Sequence, residues 1–216
     1  MSRGLVGGAF ALFSLANLAE AGGQVEDAIS AGTARPWLEA GYWILKTAVV
    51  GVFFFAVLRR AEPLRPSREP VAFAACALAI LGAVALRQPD PDASTAGLVA
   101  GEIVALASCA FLLASVLALG TCFGVLPEAR GLVTRGPYRL VRHPVYLGEL
   151  GACAGLVLGV PSAWNLTAAV VLLGAQLVRM RLEERALEAE FPEYAAYAAH
   201  TPRLIPTPAR LRPLEV

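Results

Sequence analysis

The chain is short of charge. Asp, Glu, Lys and Arg make up only 16% of its 216 residues, against about 25% in soluble domains. The shortage is uneven: long windows carry almost no charge and short windows carry most of it. This pattern excludes an ordinary soluble α/β enzyme and predicts a polytopic membrane protein. Lysine is nearly absent, Lys46 being the only one among 18 basic residues, and the net charge is +1. No global basic field is available for nucleic acid. Histidine is limited to His143 and His200, and the four cysteines, Cys76, Cys109, Cys122 and Cys153, form no C-x-x-C pair. A clustered zinc or haem site is therefore not expected, and the cysteines read as small core or lipid-facing residues. There is no internal repeat and no low-complexity tract.

What is present is hydrophobic: 57% of the residues, with a mean hydropathy of +0.61. Four runs, 4–21, 37–58, 70–86 and 96–123, are long enough to cross a bilayer as helices. Helices satisfy their own backbone, whereas a lone strand in lipid does not. The first run, with Arg3 before it and Ala19-Glu20-Ala21 at its end, has the outline of a signal peptide and is read as the first transmembrane helix. The last apolar block is split by Val160-Pro161-Ser162 into 145–160 and 163–178. Each half is short for a crossing, so a helical hairpin with Pro161 near its tip is expected. Beyond Met180 the sequence RLEERALEAEFPEYAAYAAHTPRLIP predicts a helix leaving the membrane, a break near Pro192 and a short aromatic helix against the membrane face. The fold expected is all-α: about four transmembrane helices, a C-terminal helical hairpin and a cytoplasmic amphipathic tail. Residues 1–95 form the N-terminal helices and 96–216 the functional core.

Arginine fixes the expected orientation. The loop 59–69 carries four arginines, the loop 127–143 carries Arg130, Arg135, Arg139 and Arg142, and the tail carries Arg179, Arg181, Arg185, Arg203, Arg210 and Arg212. The opposite connections, 22–36 and 87–94, hold Glu26 and Asp27, and Asp90 and Asp92, with one arginine each. By the positive-inside rule the N-terminus, the basic loops and the tail are cytoplasmic. The bias toward Arg, Ala and Gly is that of GC-rich coding and points to a bacterial inner membrane. Arg130, Arg210 and Arg212 read as topology anchors.

One stretch carries more than topology. Arg135 to Glu149 reads RGPYRLVRHPVYLGE. Gly136-Pro137-Tyr138 sets a tight turn. Pro144 follows His143 at a favourable first helical position, so a helix N-terminus with free N–H groups begins there. Gly148, Gly151 and Gly155 make a small face for close approach of a helix or a flat ligand. The hairpin returns Glu183 and Glu184 to the neighbourhood of His143.

The combination GPYRLVRHPVYLGE, then R-x-E-E at Arg181–Glu184, then F-x-x-Y-x-x-Y with a closing R-L-I-P, resembles the isoprenylcysteine carboxyl methyltransferase and phospholipid methyltransferase superfamily over about residues 119–206. The resemblance implies an integral membrane enzyme that transfers methyl from S-adenosylmethionine, leaving S-adenosylhomocysteine. The acceptor would be lipophilic: an isoprenoid carboxylate, a prenylated thiol compound or a phospholipid amine. It implicates His143, Tyr146, Leu147, Gly148, Glu183 and Glu184 in cofactor binding, and His143, Arg139, Arg181 and Glu184 in catalysis. Two other readings compete. Glu149 extends a likeness to membrane steroid and sterol reductases that use a dinucleotide. Lys46 and Glu102, inside apolar helices, fit a non-enzymatic polar pathway.

Overall fold

A computed structural model describes residues 3–32, 34–86 and 94–206. It is all-helical, with no strand among the described residues. The helices are α1 (Arg3–Ala31), α2 (Ala34–Arg59), α3 (Pro70–Val84), α4 (Thr95–Leu119), α5 (Pro144–Gly159), α6 (Ala163–Glu190) and α7 (Tyr194–His200), with 3-10 turns at Gly120–Cys122 and Gly136–Arg139. Among the described residues α4 and α6 are long and apolar enough to cross a membrane, while α3 and α5 are shorter apolar helices. Four crossings were expected; by length and hydropathy these two meet the requirement. The side chain of Lys46, the acidic connection 87–93 and the arginines Arg210 and Arg212 lie outside the described residues.

Local chemistry explains most boundaries. Pro70 and Pro144 start their helices where no N–H partner is needed. Helix α4 stops at Leu119, short of the expected 123, because Gly120 takes φ +56°, a conformation that glycine adopts without strain. The expected helix over 4–21 continues to Ala31. The hairpin forms at the predicted tip: the Ser162 side chain accepts from the Asn165 N–H at 3.1 Å, and the Asn165 amide donates to the Val160 carbonyl at 3.0 Å.

The hairpin arms are splayed. Helix α5 packs chiefly on α4, and α6 chiefly on α3. The glycines on α5 serve the first pairing: a Cβ at Gly101 would strike the Gly155 carbonyl oxygen, one at Gly155 the Gly101 carbonyl, and one at Gly148 would sit 2.7 Å from the Leu112 Cβ. The small face expected to admit a helix or a ligand thus admits helix α4. One core lies between α2 and α4, around Val57, Cys109, Leu112 and Val116. A second lies between α3, α5 and α6, around Ala79, Cys153, Leu172 and Ala175. Helix α6 has 28 residues, so it is about 42 Å long against roughly 30 Å of hydrocarbon. Its C-terminal turns, which carry Glu183 and Glu184, therefore have length to project beyond lipid.

Candidate functional site

The site forms where the start of α5, the C-terminal half of α6 and the chain after α7 converge. Gly136, at φ +61°, turns the chain into the 3-10 segment Gly136–Arg139. The Tyr138 carbonyl accepts from the Tyr197 hydroxyl at 2.7 Å, so α7 holds this turn in place. The next residues are clamped by a strap from the tail: the Arg142 N–H donates to the Pro202 carbonyl at 2.8 Å, and the His143 N–H to the Arg203 carbonyl at 3.2 Å.

Glu184 joins all three pieces. Its Oε1 lies 3.0 Å from His143 Nε2 and 3.2 Å from Arg142 Nη1, and Arg203 Nε donates to the same oxygen at 3.0 Å. Arg203 Nη2 also pairs with Oε2. Glu184 and His143 are both buried. The hydrogen bond to Glu184 raises the pKa of Arg203 above its ordinary value. Burial, reinforced by the Glu184 charge, pushes the Tyr194 hydroxyl up to about 12, and burial raises Tyr197 as well. Both tyrosines therefore stay protonated; Tyr197 donates its hydroxyl to Tyr138, and Tyr194 packs with its hydroxyl unpartnered.

Beside this clamp a polar ladder runs between α5 and α6. Tyr146 donates its hydroxyl to Glu183 Oε2 at 2.7 Å. The Arg179 guanidinium lies 5.0 Å from the Tyr146 ring centroid, within cation–π range. Arg179 donates to Gln176 Oε1 at 2.8 Å and to the Val125 carbonyl at 3.0 Å. Gln176 in turn donates to Glu149 Oε2. The His143 and Tyr146 rings meet edge to face, 5.4 Å between centroids.

A cavity of about 120 Å³ opens along this ladder. Its lining includes polar and charged groups, among them Tyr138, Arg142, His143, Tyr146 and Glu183. It also includes apolar side chains, Phe53 from α2, Ile80 from α3 and Leu119 from α4. Among its lining residues two side-chain atoms are buried without a hydrogen-bond partner, Arg142 Nε and Arg179 Nε.

The residues expected from sequence thus divide. His143, Tyr146 and Glu183 line the cavity. Glu184 is adjacent, but its oxygens are occupied by His143, Arg142 and Arg203. Gly148 packs on Leu112, Leu147 is half-buried, and Arg139 and Arg181 are exposed; none of these four lines the cavity. Arg130, read as a topology anchor, is instead buried: it pairs with Glu128 at 2.6 Å and donates from Nε to the Ala61 carbonyl at 3.0 Å. Glu128 also accepts from the Ser67 N–H at 2.9 Å, so this pair ties the α2–α3 loop to the cavity wall. Sequence reasoning did not find Gln176 or the ladder. The available signal was spacing: 176, 179 and 183 share one face of α6, and 146 and 149 share one face of α5.

Comparison with known proteins agrees with the motif. Residues 92–193 match the phospholipid methyltransferase family, part of the isoprenylcysteine carboxyl methyltransferase-like superfamily. The match begins just before α4 and ends just before α7, so it spans the cavity's α5 and α6 walls. Among curated proteins, the chain is 41% identical over 78 residues to the cobalt-zinc-cadmium resistance protein CzcN of Cupriavidus metallidurans, covering 35% of each chain. It is 36% identical over 78 residues to the nickel-cobalt-cadmium resistance protein NccN of Alcaligenes xylosoxydans xylosoxydans, covering 35% of this chain and 36% of that one. The chain thus spans about a third of the length of these relatives. The family and the two apolar helices together point to an integral membrane protein.

Proposed function

We propose that the protein is an S-adenosylmethionine-dependent membrane methyltransferase whose cofactor and lipid acceptor meet in the cavity between α5 and α6. The observation that carries this reading is the cavity's mixed lining: charged and hydrogen-bonding groups from α5 and α6 together with apolar side chains from α2, α3 and α4. A water-soluble cofactor and a lipophilic acceptor need such a meeting place. On this reading the four apolar runs cross the bilayer, the site's charged groups lie on the cytoplasmic side by the arginine pattern, and residues 96–216 form the catalytic core.

The donor set suits the cofactor. It carries a carboxylate, an ammonium and ribose hydroxyls, and when bound it supplies an electrophilic methyl group. Arg142, whose Nε is buried without a partner, would hold the carboxylate, with the α5 N-terminus behind His143 assisting. Glu183, occupied only by the Tyr146 hydroxyl, has an oxygen left to accept from the ammonium or a hydroxyl. Tyr146 would pack on the base. Glu184 would act through its neighbours, holding His143, Arg142 and the strap in register. The void is smaller than the roughly 300 Å³ at which ligand pockets begin, so the cavity must widen on binding. Its wall at 123–128 is non-helical chain. Methyl transfer is an in-line displacement, and the protein contributes alignment and exclusion of water. A carboxylate acceptor needs no base; an amine does, and His143, which lines the cavity, would serve.

The test is incorporation of labelled methyl from S-adenosylmethionine into membrane lipid extracts by the purified protein. A labelled lipid that disappears with Glu183→Ala is expected. Consumption of NADPH by the same extracts, with no methyl incorporation, would instead support the reductase reading that Glu149 raises.

A further inference from the structure

We propose that residues 124–130 are a movable partition between two cavities, and that the site admits its ligand when this segment shifts into the second one. The proposal rests on the methyltransferase reading for the size of the ligand and adds how the site opens. Gly124, Val125, Leu126 and Glu128 line the cavity of about 120 Å³. Pro127 and Ala129, from the same segment, line a second cavity of about 260 Å³. Helix α6 divides in the same way: Arg179 and Glu183 line the first cavity, and Leu182, Ala186 and Ala189 the second. One short non-helical segment therefore stands between two spaces along one helix. The first cavity falls short of the roughly 300 Å³ of a ligand pocket, and the second holds more than the shortfall.

The segment is built to move as a piece. Arg130 pairs with Glu128 of the same segment at 2.6 Å. A Cβ at Gly124 would strike the Arg130 guanidinium, so the side chain at one end folds back onto the backbone at the other. Phe123, just before the piece, is anchored in the core between α2 and α4. Glycines at 124 and 131 supply backbone freedom at its two ends.

One carbonyl ties the piece to the helices of the site. The Val125 oxygen accepts from Arg179 at 3.0 Å and from the Cys76 thiol of α3 at 3.2 Å. The α2–α3 loop is bonded to the piece as well: the Leu64 N–H donates to the Ala129 carbonyl at 2.9 Å, and the Ser67 N–H to Glu128 at 2.9 Å. That loop is itself a connection between helices and can travel with the piece. Displacement therefore breaks the two bonds at Val125 and uncovers the Cys76 thiol, which is buried when they are made. Two ordinary hydrogen bonds are a cost that contacts to a bound ligand offset, so the ligand selects the displaced form.

The experiment plugs the second cavity without touching the first. Ala189 is exposed and lines only the second. In the full chain in detergent, Ala189→Phe weakens S-adenosylhomocysteine binding on the order of tenfold by lowering the fraction of molecules that can open, and the smaller plug Ala189→Leu weakens it by less. Glu188→Phe, exposed beside it and lining neither cavity, leaves binding unchanged. A second readout needs no ligand: alkylation of Cys76 by N-ethylmaleimide, followed by mass spectrometry, slows in both Ala189 variants and not in Glu188→Phe. Unweakened binding in the Ala189 variants, or Cys76 alkylated in them at the unaltered rate, would overturn the proposal. Failure of S-adenosylhomocysteine to bind the unaltered protein would sink the methyltransferase reading instead, and the alkylation rates would then decide the partition by themselves.

Discussion

His143 and Glu184 meet at 3.0 Å although 41 residues separate them. The contact closes the base of the α5–α6 hairpin, and the arginines at 142 and 203 bind the same carboxylate. Glu184 is therefore a clamp before it is anything else, and its substitution tests that role. Its side chain is only 8% exposed. Removing one partner from a buried charged cluster costs about 3–5 kcal/mol. Glu184→Ala is expected to lower the thermal unfolding midpoint sharply in detergent, and Glu184→Gln by less. An unchanged midpoint in Glu184→Ala would show that the clamp contributes nothing.

Tyr146 separates binding from folding more cleanly. Tyr146→Phe removes the hydroxyl that Glu183 accepts at 2.7 Å and keeps the ring beneath Arg179. The lost internal hydrogen bond costs about 1 kcal/mol of stability, and the Glu183 carboxylate it held is freed, so affinity for S-adenosylhomocysteine is expected to fall with only a small drop in the unfolding midpoint. Calorimetric titration of both proteins checks this.

Close packing of α4 on α5 predicts an asymmetry among glycines. Gly101→Ala places a methyl against the Gly155 backbone, which has no flexible end to move. The helices must part, at a cost of about 1–3 kcal/mol. Gly174→Ala on α6 meets nothing within 4 Å and is expected to stabilise the helix, by about 0.4–1 kcal/mol. Thermal unfolding of the two variants should move in opposite directions.

The buried tail tyrosines predict alkaline sensitivity. Tyr194 ionises near pH 12 in the folded chain and near 10 when exposed. Between those values the unfolded state has lost a proton that the folded state keeps, so stability falls as pH rises. Below pH 10 the contribution is constant. Tyr194→Phe should flatten the loss measured by unfolding between pH 10 and 12.

Much of this was legible in the sequence because it rests on local signals. Proline starts of helices, the Ser162 turn and the hydropathy runs each act over a few residues, and the return of Glu183 and Glu184 to His143 follows from the hairpin. The α1 end was misplaced because polar residues such as Glu26 and Asp27 continue a helix that hydropathy alone would stop. The burial of Arg130 was not legible, since its partners Glu128 and Ala61 come together only when two loops meet. Gln176 carried no motif; helical spacing gives it Arg179 as a neighbour, but only the approach of α5 to α6 gives it Glu149. The glycine face had two readings, and contact with α4 decides between them.

The central claim, that the cavity between α5 and α6 binds the methyl donor, is tested most directly by titrating the purified protein in detergent with S-adenosylhomocysteine and, separately, with NADPH. Saturable binding of S-adenosylhomocysteine, weakened in Tyr146→Phe and lost in Glu183→Ala, with no NADPH binding, is the predicted result. NADPH binding without S-adenosylhomocysteine binding would contradict it.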